Sequence, residues 1–294
     1  MQTIYIQSPL LSVFFVLVFS VLVGSFLNVV IFRLPLMMKR SWREQCHEIS
    51  KIPAANIPTN RFNLIVPRSR CPHCKGQITP IQNIPIFSYL ILNGKCANCT
   101  ADISIRYPVI ELVTGILSVI VVWHFGFSWE ALAAIIITWI LIVISAIDLD
   151  EQHIYDDLVL PLLWGGLLIS TISPLVEANT LFISPSNAIA GAIAGYLSLW
   201  SVYQLFRLLT GKEGMGYGDF KLLAALGACL GWQMLPFIIL MAAITGSIVG
   251  TISILLKQHR RSTPIPFGPY LSAAGWFAML WGHDITTLYL NYIN

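Results

Sequence analysis

The chain has 294 residues, of which 56% are hydrophobic and only 11% charged, with a formal net charge of +3. A soluble domain carries about 25% charged residues, so this composition excludes an ordinary soluble globular protein and marks an integral membrane protein.

The first apolar run covers residues 7–32 and contains no charge. No basic residue precedes it and no small-residue cleavage site closes it, so a retained N-terminal helix over 1–33 is expected in place of a secretory signal. A basic stretch follows. Eleven of the 17 Lys and Arg residues lie from Arg33 to Arg106, and the other six are Arg207, Lys212, Lys221, Lys257, Arg260 and Arg261. Short basic loops stay cytoplasmic, and an arrangement of about eight spans with the N-terminus outside puts all 17 on that side. Residues 34–106 then form a cytoplasmic domain between helices 1 and 2. Within it, 82–94 is apolar but too short to cross a bilayer, which predicts an interfacial or re-entrant piece.

One span ahead of 131, in the stretch 107–206 that lacks Lys and Arg, and further apolar runs at 131–147, 158–176, 178–206, 222–256 (two helices) and 262–283 predict a bundle of seven helices over 107–294. The 35 residues of 222–256 contain turn chemistry at Gly231-Trp232-Gln233-Met234-Leu235-Pro236. Two helices are expected there, the first short, because a single span would carry Lys257, Arg260 and Arg261 outside. The fold class expected is thus an all-α polytopic membrane protein with a small cytoplasmic module.

That module holds Cys71-Pro72-His73-Cys74 and Cys96-Ala97-Asn98-Cys99, two CxxC pairs separated by 21 residues. Two residues between cysteines let both thiolates of a tight turn face one ion, and two such turns complete a tetrahedral site. Disulfides are the rival, disfavoured by the reducing cytosol. With four protein ligands and no open position, Cys71, Cys74, Cys96 and Cys99 are expected to hold a structural zinc. His73 is read as a turn residue, and Cys46 and Cys229 as ordinary thiols.

Asp148 ends the charge-free run 131–147, and Asp219 closes Gly216-Tyr217-Gly218-Asp219 at the mouth of another. Carboxylates are expensive at membrane depth, so each is a functional-site hypothesis. The charge topology puts both at the cytoplasmic face. Two close carboxylates cannot both ionise cheaply, so one would keep a proton while the other acts as a base, the arrangement an aspartic protease needs. Gly214, Gly216 and Gly218 permit an unusual turn and close approach by another backbone. Three alternatives stay open on the residues alone: Asp219 as a helix N-cap, an ion pathway through both acids, and a scaffold whose zinc module docks a partner. Asp150, Glu151, Asp156 and Asp157 near Asp148 could attract a basic peptide or form a solvated acidic loop. His153 and Tyr155 in the same loop have no assigned role.

Taken together, these motifs resemble the bacterial prepilin peptidases, or type IV leader peptidases, which are GxGD-type intramembrane aspartic proteases. The similarity rests on Gly24-Ser25-Phe26-Leu27-Asn28 with Arg33-Leu34-Pro35, Arg70-Cys71-Pro72-His73-Cys74, and Arg106-Tyr107-Pro108 with Glu111-Leu112. It continues through Ala146-Ile147-Asp148-Leu149-Asp150, Leu160-Pro161-Leu162-Leu163-Trp164 and Gly214 to Lys221. The resemblance implies catalytic roles for Asp148 and Asp219 and cleavage after a glycine on the cytoplasmic side of the bacterial inner membrane. It implies as substrates prepilin and type II secretion pseudopilin precursors, each a short basic leader followed by an apolar helix. Many members also methylate the new N-terminal residue, usually phenylalanine, with S-adenosylmethionine, an activity attributed to the N-terminal part. Membrane lipid is the other partner implied, and nucleic acid is not. This chain departs from many members in having Ile154-Tyr155-Asp156 where they have Leu-Pro-Asp, which removes a φ-fixing proline from that loop. No nucleotide-binding fingerprint accompanies the motifs. Glu111 and the Gly24 to Asn28 stretch are candidates for methyl transfer, with helix packing the alternative for the glycine.

Overall fold

The computed structural model describes residues 9–50, 61–79, 81–172, 183–256 and 265–293. Lys257, Arg260 and Arg261, three of the basic residues used to orient the spans, lie outside them. Among the described residues all regular structure is helical apart from two isolated β-bridges. The chain forms two compact units, residues 1–120 and 121–294.

Unit 1 begins with α1, Pro9–Ser50, a helix of 42 residues. At 1.5 Å per residue it is about 63 Å long, twice the ~30 Å of a hydrocarbon core. The expected boundary at Arg33 is therefore not a helix end. Pro35 is accommodated within the helix, and the following Leu, Met, Lys, Arg, Glu and Gln residues are good helix formers. The 82–94 stretch holds a 3₁₀ turn at Ile81–Asn83 and a single short helix, α2, Phe87–Ile91. Neither can span. Next comes α3, Arg106–Phe125, whose first residues pack on α1. A Cβ on Gly24 would lie 2.8 Å from the Glu111 Cα, so glycine is what permits this crossing. Beside it, the Asn28 side chain donates to the Tyr107 carbonyl at 3.1 Å.

Unit 2 contains α4 (Trp129–Glu151), α5 (Asp156–Ile172), α6 (Pro185–Thr210), α7 (Tyr217–Leu230), α8 (Leu235–Leu255) and α9 (Gly268–Ile293). The run 222–256 divides where its turn chemistry lies. Gly231 takes φ +87°, a 3₁₀ turn follows at Trp232–Met234, and Pro236 opens α8. The first member, α7, has 14 residues and is about 21 Å long. From Asp219 to Leu230 all but Lys221 are buried. A helix apolar on every side belongs in a core, and α7 packs against α6, α5 and α9. The α6–α7 crossing is the tightest. A Cβ on Gly227 would overlap the Gly191 carbonyl oxygen, and one on Gly195 would lie 2.6 Å from the Leu223 carbonyl. Elsewhere α9 is tied to α4 by the Trp276 indole N–H, which donates to Thr138 Oγ1 at 3.0 Å.

Five helical stretches among the described residues are long and apolar enough to cross a bilayer: Leu10–Cys46, Arg106–Phe125, Trp129–Glu151, Pro185–Thr210 and Trp232–Leu255. The chain is thus an all-helical membrane protein.

Candidate functional site

Two clusters of chemically capable side chains stand out, one in each unit. In unit 1 the Sγ atoms of Cys71, Cys74, Cys96 and Cys99 all lie within 4.8 Å of one another, with Cys71 and Cys99 at 3.9 Å. A tetrahedral ion with ~2.3 Å metal–sulfur bonds needs sulfurs about 3.8 Å apart, so the four thiols fit one metal ion.

The same backbone device builds both halves. Cys71 N–H donates to Gly76 O and Lys75 N–H to Cys71 O; Cys96 N–H donates to Ala101 O and Thr100 N–H to Cys96 O. Lys75 and Thr100 take φ values of 60° and 57°, and bridges Arg70–Gln77 and Lys95–Asp102 close the turns. Amides inside each turn point at its first sulfur. Those of Cys74 and His73 hold the Cys71 thiol below its usual range, and those of Asn98 and Cys99 bring Cys96 down to about 6. Against an Ala101 amide that lowers it, desolvation and the crowded thiols of Cys74, Cys96 and Cys71 push Cys99 up to about 11. Four sulfurs gathered this closely are a donor set that a cation would complete. The module is anchored to α1 by Arg33, whose guanidinium donates to the carbonyls of Asn63 (2.9 Å), Leu64 (3.3 Å) and Pro67 (2.6 Å).

In unit 2, Asp148 sits in the last turn of α4 and Asp219 in the first turn of α7, only 4% and 7% exposed. They lie within Coulombic range of each other. A carboxylate near a helix C-terminus opposes the helix dipole, and here a second helix end compensates. The Gly268 N–H, at the start of α9, donates to Asp148 Oδ2 at 3.0 Å. Gly268 must be glycine, because a Cβ there would stand 2.6 Å from that oxygen and 3.0 Å from Ile154 Cδ1.

Asp219 is not the N-cap of α7. Gly216 occupies that position without a side-chain cap, which places Asp219 three residues in. From there its carboxylate reaches back to the Gly216 amide, the geometry of the acidic member of a capping box. Its other oxygen, Oδ1, is buried and has no hydrogen-bond partner. Holding the turn and offering a free oxygen are therefore both met by one side chain. Ile154 wedges the two halves together, since a Cβ on Gly218 would lie 2.7 Å from Ile154 Cβ. It thus touches the glycine before Asp219 and the glycine that binds Asp148.

Within the acidic loop, Asp156 is paired with Lys221 Nζ at 2.7 and 2.8 Å. Tyr155 is buried, with its ring 4.8 Å from that of His153. Asp148 and Asp219 are thus brought together, as are the four cysteines, whereas Cys46 is exposed and Cys229 is buried in unit 2. Glu111 is buried in unit 1 and accepts the Ile86 N–H at 2.8 Å.

Sequence reasoning missed Gly268, Ile154 and the α6–α7 glycines. Signals existed for two of them. Phe267-Gly268-Pro269 ahead of an apolar run marks a helix start with proline in its first turn, and Gly191-x-x-x-Gly195 in α6 is a close-packing motif.

Comparison with known proteins gives a consistent result. Residues 18–125 match the bacterial peptidase A24 N-terminal domain, and residues 135–251 match the type IV leader peptidase family. A prepilin leader peptidase/N-methyltransferase of Stutzerimonas stutzeri is 54% identical over 286 residues, 97% of this chain and 96% of that protein. Proteins of the same description from Pseudomonas aeruginosa and Legionella pneumophila are 51% identical over 285 residues (97% and 95%) and 44% over 274 (93% of each). No solved structure matches.

Proposed function

Because the chain belongs to the prepilin leader peptidase/N-methyltransferase family, we propose that it removes the leader from prepilin precursors and methylates the new N-terminus, with Asp148 and Asp219 as the hydrolytic pair. The observation that carries the reading is the pair itself: two buried acids from different helices within Coulombic range, one of them with a buried, unpartnered oxygen.

In this mechanism one carboxylate takes a proton from water as the water oxygen adds to the scissile carbonyl carbon. The other, protonated, first donates to the carbonyl oxygen. Collapse of the tetrahedral intermediate breaks the C–N bond, and the leaving nitrogen takes a proton from the pair, leaving a carboxylic acid and an amine. Gly268 and Ile154 act as positioning residues, fixing Asp148 and the turn that carries Asp219. In this reading the pair and the cysteine module both face the cytoplasm at the inner membrane, an orientation supported by the distribution of Lys and Arg along the sequence, and a basic leader meets the acids around Asp148. Pseudopilin precursors of type II secretion present the same leader and helix, and cleavage follows a glycine.

Methyl transfer belongs to unit 1, most of which lies within the N-terminal domain match. S-adenosylmethionine would supply the methyl group and leave as S-adenosylhomocysteine, while the amine freed by cleavage would take the methyl and give up a proton. Cys71, Cys74, Cys96 and Cys99 would hold zinc, which would fix the fold around that activity without entering the reaction.

The test is mass spectrometry of a prepilin precursor incubated with the purified protein, with and without S-adenosylmethionine. Leader loss in both samples is expected, with one added methyl on the new N-terminus in the first only. An intact precursor in both would overturn the peptidase reading.

A further inference from the structure

Unit 2 carries an open groove of about 480 Å³. One wall is α8, and the other is the start of α9 with the residues leading into it, Ile265, Pro266 and Phe267. Two of the lining residues, Phe267 and Tyr270, flank Gly268 in the chain, and Gly268 is the residue whose N–H holds Asp148.

Its lining is unusual for a lipid-facing helix, since α8 presents small residues where leucines would be ordinary. They form two ridges with different jobs. Gly246 and Gly250 let α9 approach: a Cβ on Gly246 would lie 3.3 Å from the Tyr270 ring, and one on Gly250 would lie 2.9 Å from Ile265 Cδ1. Ala243, Ser247 and Thr251, four residues apart, are exposed and line the groove. The Thr251 hydroxyl is already satisfied by the Ser247 carbonyl at 2.7 Å, so it asks for no polar partner.

An i, i+4 ridge of small residues is what lets a second helix backbone come close in a membrane. From Ala243 to Ile254 the groove runs about 17 Å along α8, roughly three helical turns. The helix that bears it is long and apolar enough to span. An occupant that matches this wall is apolar, helical and presented from within the bilayer, and it passes the stretch Phe267–Tyr270 whose Gly268 N–H holds Asp148.

Resting on the peptidase reading above, we propose that this groove seats the apolar helix of the precursor, its first turns beside Ser247 and Ala243 and the bond to be cut at the Gly268 end. The groove thereby selects substrates by their membrane helix, while the residues around Asp148 receive the leader.

Two readouts test this in the full-length protein. The photo-crosslinker p-benzoylphenylalanine replacing Ser247 is expected to capture the first turns of a prepilin precursor, located by mass spectrometry; capture of lipid alone would overturn the proposal. Ala243→Phe and Ser247→Phe fill the groove from exposed positions. Each is expected to raise KM for the intact precursor about ten-fold while changing kcat less than about two-fold. A soluble peptide with the leader and only the first few mature residues is expected to be cut as before. No change for the precursor, or equal loss for both substrates, would contradict the groove. If the unsubstituted protein cuts neither substrate yet the crosslinker captures the precursor helix, the groove stands and the peptidase reading falls.

Discussion

The two clusters are assembled by opposite means. In unit 1 the four ligands arrive as two local pairs, each preformed by a turn with the same hydrogen bonds, and only the joining of the turns calls for an ion. In unit 2 Asp148 and Asp219 are 71 positions apart and meet because α7 is buried among α5, α6 and α9. A metal can gather a site where little core is available, whereas a membrane bundle gathers one by letting backbones touch. Chelation should therefore dismantle the first cluster and leave the second.

Removing a sulfur gives the largest expected effect. A structural zinc contributes about 10 kcal/mol or more to a small domain, so Cys71→Ser is expected to strip the metal, open the module and abolish methylation. Elemental analysis, limited proteolysis and the methyl-transfer assay would follow this. Bundle helicity and cleavage should change far less, and a collapse of both activities with an intact, metal-loaded module would blur the contrast between the units. In the bundle, Gly227→Leu drives a side chain into the α6 backbone at Gly191. A loss of about 3 kcal/mol is expected, read as lower thermal stability in detergent with the metal still bound to unit 1.

Gly268→Ala is smaller in stability and sharper in function. Its methyl group would push against Asp148 Oδ2, and a displacement of that size costs about 100-fold in rate. Cleavage kinetics should show a fall in kcat with helix content unchanged, and normal kcat would remove Gly268 from the positioning role. Lys221→Ala stands at the other extreme. Its ion pair with Asp156 is short but solvent-exposed on both sides, so less than about 1 kcal/mol is expected by chemical or thermal unfolding.

What the sequence disclosed follows the same division. The cysteine module was legible because its geometry is written in two-residue spacings. Asp148 and Asp219 were legible because charge inside apolar runs is rare, and the break at Gly231 because its turn residues are local. The end of α1 was misplaced at Arg33, since the onset of basic residues marks a change of solvent and not the end of a helix. Gly268 could not be linked to Asp148 from sequence: the contact spans 120 positions and is made by a backbone N–H, which leaves no residue-type signature. Ile154 is similar, a plain apolar residue whose importance lies in touching two glycines from different helices.

The central claim is that Asp148 and Asp219 are one hydrolytic unit. Its most direct test is mass spectrometry of a prepilin precursor treated with Asp148→Asn or Asp219→Asn protein, alongside a precleaved substrate with S-adenosylmethionine. Each substitution is expected to reduce leader removal about 1,000-fold or more, to the same level in the double variant, while the precleaved substrate is still methylated. Leader removal near the unsubstituted rate by either single variant would contradict it.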